Sequence, residues 1–482
     1  MERAEAEAIF DAGRERVVEV LLELAGRLGG LEDRVERVEG KPATSSLNSS
    51  LAPSADAPKT RQQRRALARA KAKELLREKE PRQQGAQKGH RGVGRELLPV
   101  EEIDEVVDHY PSECHGCGRE FTGLERVPGS GAGRHQVAEL PEIAVTYTEH
   151  RTHRLRCPGC KKRTRAALGV VGESAFGPML QAAVVTLTAR NRVSRRDASE
   201  LVADLFQVGV SSGAIDAICQ RASGLLEGPH ELLTAWVLAS GAINVDETGW
   251  FLRGENRTMW TATTADAAIF KIVEDRHRDR LIDLIGADYA GIVTSDRWWA
   301  YDVLDAEQRQ ACWSHLLRDF TAHSEGLTHQ KAFGDAGLAL TGRLFEAWHA
   351  YTSHEDRDRL AREMKPVTDE LRALLDAAVD GRKRNRFHRR FANNLLKIWP
   401  ALWTFVTTSG VTPTNNAAER SLRGPVIHRR LSYGNQSTEG EQFTERALSA
   451  SVTCRLQNRS LYHYLAQLFT AHQHAQTLPA LI

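Results

Sequence analysis

From Ala242 onward the chain reads strand, hairpin, helix, strand: GAINVDETGWFL, TMWTATTADAAIFKIVED, HRDRLIDLIG, then YAGIVTSDRWWAYD. Short β-branched and aromatic runs around one helix-period stretch open a mixed α/β sheet, because neither period can serve the other element. Within these strands, acidic residues stand where a charge is costly. Asp246 interrupts Ala-Ile-Asn-Val-Asp-Glu-Thr-Gly-Trp, and Asp296 closes Gly-Ile-Val-Thr-Ser-Asp. A third, Glu419, lies in Thr-Asn-Asn-Ala-Ala-Glu-Arg on an expected helix. Any one alone reads as an ordinary turn or helix cap. Together, two strand-borne aspartates and a helical glutamate can converge on one point. Like charges a few ångströms apart repel, so such a cluster calls for cations. Magnesium (or manganese) suits hard oxygen ligands. Two such ions about 4 Å apart would support an in-line displacement at phosphorus. Glu247 should point to the opposite face of its strand and is left out of the metal site.

Four of the seven cysteines form two Cys-x-x-Cys pairs, Cys114/Cys117 and Cys157/Cys160. In a reducing compartment that spacing reads as metal binding before disulfides. Gly116 and Gly118 at the first pair, and Pro158-Gly159 inside the second, suit tight knuckles. Two facing knuckles make a four-thiolate zinc site, structural because no ligand position stays open. The 39 residues between the pairs fit a zinc ribbon over 100–170 with strand-like arms, EIDEVVDHY and EIAVTYTEHRTHRLRC. The alternative is two unrelated redox pairs. Arginines and lysines from Arg151 to Arg165 surround the second knuckle, a surface suited to phosphate or simply solvated.

At 41% hydrophobic and 27% charged, the 482 residues are ordinary for soluble globular protein. Collagen-like, mucin-like and wholly disordered readings are excluded, and the length suggests about three domains. No apolar run approaches a membrane span, and the N-terminus lacks the pattern of a secretory signal. The expected location is cytoplasmic, at the nucleoid when bound. The net charge of +2 hides an asymmetry. Residues 1–40 hold six arginines and eleven acidic residues, whereas 59–95 hold thirteen basic residues and three glutamates. Such a basic block seeks a polyanion. Within it Lys88, His90 and Arg91 sit on a Gly-rich turn suited to phosphate contact.

Val17, Leu21, Leu24, Leu28, Leu31, Val35 and Val38 follow a 4-3 spacing, which predicts a short coiled coil over 1–40 that pairs subunits. Residues 41–99 read as a Ser/Ala/Pro-rich linker and the basic arm. Residues 171–236 predict a helical DNA-binding module, 237–435 the sheet-bearing core with a helical insertion at about 321–400, and 436–482 a C-terminal helical segment. The fold class is therefore multidomain α+β.

Four stretches carry a resemblance to a known family. They are Val-Asp-Glu-Thr-Gly-Trp at 245–250, Thr-Ser-Asp-Arg-Trp-Trp-Ala-Tyr at 294–301, Cys-Trp-Ser-His-Leu-Leu-Arg-Asp-Phe at 312–320, and Asn-Asn-Ala-Ala-Glu-Arg-Ser-Leu-Arg-Gly-Pro-Val-Ile-His-Arg-Arg at 415–430. In this order they resemble transposases of the insertion sequence 66 family, over about residues 17–470. The resemblance implies a ribonuclease-H-like catalytic core whose Asp-Asp-Glu triad is Asp246, Asp296 and Glu419. Cys312 and His315 resemble a Cys-x-x-His element of the wider superfamily, for which a packing or DNA-positioning role is expected rather than a second zinc site. Two departures concern the turn and substrate handling: Arg297-Trp298-Trp299 follows the second aspartate where glycine is usual, and Asn244 stands where a histidine or a similar polar residue is expected.

The implied activity is magnesium-dependent DNA cleavage at element ends and strand transfer into target DNA. Arg420, Arg423, Arg429 and Arg430 beside Glu419 would contact DNA, and Arg382–Arg390 with interleaved aromatics would add to that surface. Expected partners are the element's terminal repeats, target DNA, a second copy of the chain or a higher oligomer, and accessory transposition proteins, with no membrane. The rival readings are a nuclease on the same fold and a catalytically silent DNA-binding regulator.

Overall fold

The computed structural model describes residues 96–122, 133–140, 143, 145–326, 328–380 and 386–482, with residues 11, 13 and 17. The coiled-coil heptad, the linker and the basic arm with Lys88, His90 and Arg91 lie outside the described residues, as does most of the Arg382–Arg386 run. The chain divides into two units, Pro58–Ala144 and the rest. In the smaller unit, 103–111 form no strand, and Val106 and Val107 are exposed. In the larger unit the expected long arm before Cys157 shrinks to β1 (Arg154–Arg156), paired antiparallel with β2 (Arg163–Arg165). Period-two patterning alone did not make strands here, since both short strands are exposed throughout.

The central sheet holds β3 (Ala242–Leu252), β4 (Glu255–Thr263), β5 (Ala268–Val273), β6 (Ile292–Ser295) and β7 (Arg309–Ala311) in the order β5-β4-β3-β6-β7. The first three are antiparallel; β6 and β7 run parallel to β3. Arg253 and Gly254 both take positive φ, 51° and 85°, which matches the right-handed twist of a two-residue hairpin. Arginine is a poor choice there, and tertiary bonds hold it: its N–H donates to the Asn435 carbonyl at 2.9 Å and its Nε to that of Gln436 at 2.7 Å.

Four helices precede the sheet: α1 (Pro178–Val185), α2 (Arg195–Phe206), α3 (Ser212–Leu225) and α4 (Glu227–Leu238). A π-helical turn, Thr186–Arg190, follows α1. Helix α5 (Arg278–Ile285) crosses from β5 to β6. After β7 come α6 (Trp313–Ser324), α7 (Thr328–His354), α8 (Arg357–Asp380) and α9 (Arg386–Lys397). Leu360, Met364, Val367, Leu371 and Leu375 bury one stripe of α8, as helical spacing requires. Gly337 lets α7 close on α6, because a Cβ there would overlap the Phe320 ring. After the short α10 (Thr404–Thr407) come α11 (Asn416–Ser432), α12 (Thr438–Leu456) and α13 (Leu461–Gln473).

One apolar core joins the four leading helices, one face of the sheet and α12–α13, and a second fills the insertion. The free edge of β5 is closed by a helix rather than a strand. The amides of Ala268, Phe270 and Ile272 donate to Thr453 Oγ1, Ser449 Oγ and Glu445 Oε1 of α12. Four helical residues rise about 6 Å and two strand residues about 6.8 Å, so every second strand amide meets every fourth helical side chain. That satisfies the backbone groups an open edge would leave exposed.

Candidate active site

Asp246 lies mid-strand in β3, paired with Thr261, and its Oδ1 accepts the Glu247 amide at 3.0 Å. Asp296 follows β6 directly, and its Oδ1 accepts the Trp298 amide at 2.8 Å, so part of this carboxylate does serve the turn. Glu419 sits in the first turn of α11. Each is half-buried. The parallel pairing of β3 and β6 sets the two aspartates on adjacent strands, and α11 brings the glutamate from 123 positions beyond Asp296.

Their charges meet. The Asp246 carboxyl is held well above the usual range, first by burial, then by the negative charges of Glu247 and Asp296, and also by that of Glu419. Glu247, next to Asp246, is held by other groups: Oε1 accepts from Arg276 at 2.6 Å and Oε2 from the Tyr301 hydroxyl at 2.9 Å. Burial and Asp296 still raise its carboxyl. Burial, with Glu247, Asp296 and Asp246, likewise pushes the Tyr301 phenol well up, so it stays a donor.

Cations nearby do not neutralise the group. Arg297 is committed to Asp319 and to the Phe391 ring, 5.1 Å away. Arg318 reaches Glu419 Oε2 only at 3.9 Å, and His315 Nδ1 lies 3.8 Å from Oε1. Burial keeps the His315 imidazole below its ordinary range despite the pull of Asp296 and Glu419. Glu419 Oε1 and His315 Nδ1 are both buried without a hydrogen-bond partner in the protein. A clustered, under-neutralised carboxylate set with a buried orphan oxygen fits a hard divalent cation.

Asn415, fully buried just before α11, ties the site together. Its Nδ2 donates to the Val245 carbonyl at 2.8 Å, and its backbone amide donates to Cys312 Sγ at 3.1 Å. Glu419 therefore hangs from a helix bonded to the strand residue preceding Asp246. Cys312, His315 and Glu419 each offer a donor atom, all within 4.8 Å. Burial pushes the Cys312 thiol up to about 11, and its sulfur is engaged by Asn415, so here it acts as a hydrogen-bond acceptor.

A family match settles the kind of protein. Residues 173–443, more than half of the chain, match the family described as Transposase IS66 family. The chain belongs to that family. Membership supports a transposase role, hence DNA as substrate and processing of DNA as the activity. Residues 1–96 match a family of unknown function, DUF6444. An uncharacterized protein, y4hP, of Sinorhizobium fredii is 23% identical over 409 residues, spanning 76% of this chain and 72% of that one. No helix among the described residues is long and apolar enough to cross a membrane.

The other expected residues divide. Arg420, Arg423 and Arg430 are exposed on α11. Arg429 turns inward, where it donates to Thr248 Oγ1 at 3.1 Å and to the Gly249 carbonyl. The two cysteine pairs are built alike, each within its own unit. The Cys114 amide donates to the Arg119 carbonyl and the Cys157 amide to that of Lys162, both at 2.8 Å. Amides of Gly116 and Cys117 lower the Cys114 thiol, and those of Cys160 and Gly159 lower that of Cys157. Sequence reasoning missed Tyr301, Arg276 and Arg318. Their signal is weak, because each acts only through a carboxylate distant in the chain.

Proposed function

We propose that the protein cleaves DNA at the ends of a mobile element and joins those ends to target DNA, with Asp246, Asp296 and Glu419 as its catalytic carboxylates. The observation carrying this reading is geometric: the parallel pairing of β3 and β6 puts Asp246 and the residue just past β6, Asp296, side by side, and Asn415 ties the helix bearing Glu419 to the strand bearing Asp246. The strand order, with the first strand central and two parallel strands on one side, supports a ribonuclease-H-like core. Magnesium or manganese held by these carboxylates would supply an activated attacking oxygen and a stabilised leaving oxygen for in-line displacement. The chain's own part is positioning and charge. Asn415 fixes α11 against β3, while Arg276 and Tyr301 keep Glu247 fixed. Exposed Arg420, Arg423 and Arg430 offer contacts to backbone phosphates.

Around this core we place structural zinc at Cys114, Cys117, Cys157 and Cys160, DNA contact at the basic arm with Lys88, His90 and Arg91, and subunit pairing at the N-terminal heptad. The test is incubation of the full chain with duplexes carrying candidate element ends, with and without magnesium. Cleaved ends bearing a 3′-hydroxyl, followed by joined products, are expected. Cutting without joining from a pre-cleaved donor would indicate a nuclease. Binding with no cutting in magnesium would indicate a silent regulator and overturn the catalytic reading.

A further inference from the structure

Positive charge gathers a second time where the leading helices meet α11 and α12. Arg190 closes the π-helical turn, and its NH1 donates to the carbonyl and the hydroxyl of Ser451 on α12, each at 3.4 Å. Arg455 stands four residues after Ser451, one turn further along the same helix face. Two residues beyond Arg190, Arg192 adopts a left-handed backbone, φ 61°. Its guanidinium NH1 would lie 3.7 Å from a Cβ placed at Gly424 of α11. Arg420 stands four residues before Gly424, beside Glu419 in the chain. Four arginines from three elements thus come together.

Acids do not compensate this group. Arg195 has Asp216 at 3.5 Å, but Arg192, Arg420 and Arg455 have no acidic partner among the described residues. Their charges disfavour one another: burial and then Arg190, Arg192 and Arg420 all lower Arg455. His428, which faces Arg192 and Arg195, is lowered to about 4 by burial and by those two, so it adds no charge at neutral pH. The backbone leading to the cluster is also unusual. A π turn and a non-glycine residue at positive φ are both uncommon, and both are enriched at functional sites. A folded chain that assembles repelling cations on an unfavourable backbone is suited to an anion that relieves the repulsion.

We propose that Arg190, Arg192, Arg420 and Arg455 form a seat for a DNA backbone phosphate beside Glu419, which sets the register of the strand relative to the carboxylates. The seat rests on the reading of this protein as a DNA-processing enzyme, and it makes the leading helices part of the substrate path. It reads charge and not bases, so it is sequence-independent.

The experiment measures binding of a fluorescein-labelled 40-base-pair duplex to the full chain by anisotropy, across a potassium chloride series without magnesium. Pairing Arg192→Ala with Arg455→Ala should lower the slope of log affinity against log salt by about 1, the loss of one phosphate contact. The matched Lys pair should retain most of the slope. Arg359→Ala, at an exposed ion pair with Glu363, should not change it. Should the Ala pair fail to fold, Arg420→Ala, on an exposed helix surface, should still show the loss. A properly folded Ala pair, or failing that Arg420→Ala, whose slope stays within about 0.3 of the parent overturns the seat. The outcomes remain separable from the catalytic reading. A protein that never cuts DNA but loses slope in these variants keeps the seat and loses the chemistry. One that cuts DNA with its slope unmoved keeps the chemistry and loses the seat.

Discussion

At Cys157 the groups that face the sulfur come from two to four residues away, whereas those that face the Asp246 carboxyl include residues 50 and 173 positions further on. At the knuckle the thiol is exposed and backbone amides favour its charged form. At the carboxylates, burial and like charge disfavour the charged form. A local turn can pre-pay for a thiolate with its own hydrogen bonds and then needs little from the rest of the fold. A distributed cluster cannot, and stays repulsive until a cation joins it. The knuckle belongs to a short span of chain, whereas the cluster depends on the whole sheet.

The comparison breaks most visibly at Asp246. Asp246→Asn should reduce magnesium-dependent cleavage by at least about a thousandfold while leaving DNA affinity unchanged, as expected when a metal-holding oxygen is lost. The variant should melt no lower than the parent, because Asn keeps an oxygen for the Glu247 amide and removes a disfavoured charge. Residual cleavage near the parent's rate would show that the carboxylates do not act jointly. The knuckles predict the opposite kind of result. Protein purified without chelator should carry about one zinc per chain, and Cys157→Ser should drop it below about half. A parent already below half an equivalent would remove the four-thiolate reading.

A subtler effect is expected at Asn415. Asn415→Ala removes the 2.8 Å donor to the buried Val245 carbonyl, leaves it only the Tyr301 hydroxyl at 3.5 Å, and should cost about 1–3 kcal/mol of stability, read from denaturant melts. Cleavage should fall further than DNA binding, since Glu419 loses its tether to β3. Equal loss of both would make Asn415 a purely structural residue. The smallest effect is expected where burial is the leading cause and one like charge, Glu441, adds to it. Glu445 lies outside the cluster, and burial raises its carboxyl to about 7. A carboxyl raised above its unfolded value stabilises the fold fully at acid pH and loses that contribution as pH climbs from about 4.5 through 7. Glu445→Gln should therefore melt like the parent at pH 5 and be more stable at pH 8, by about 1 kcal/mol after allowance for partial exposure. A gain of the same size at pH 5 would place the effect elsewhere.

Much of the core could be read before any coordinates. The β4–β5 hairpin and the helix before β6 follow from period and turn residues, and Asp246, Asp296 and Glu419 stand out as candidates because they are acids set in apolar or helical context; the β3–β4 turn at Arg253-Gly254 was not read. Other parts were hidden for physical reasons. Strand β7 is three residues, Arg-Gln-Ala, fully buried, and nothing in it looks like a core strand; Arg309 is tolerated because Asp302 binds it at 3.0 Å. The closure of β5 by α12 depends on Glu445, Ser449 and Thr453 lying opposite the correct amides, a match no single segment reveals. The expected arm before the first cysteine pair showed strand-like patterning but found no face to bury. Arg429 looked like its neighbours in sequence, yet helical rotation turned it onto β3 and left Arg420, Arg423 and Arg430 outside.

Asp246, Asp296 and Glu419 are proposed to hold divalent metal jointly. Anomalous diffraction from crystals of the full chain soaked in manganese tests it directly. A peak about 2.0–2.2 Å from carboxylate oxygens of both aspartates is expected, with Glu419 on the same ion or on a second one beside it. Well-ordered crystals with no peak there, or with manganese only between Cys312 and His315 and both aspartates uncoordinated, would contradict it.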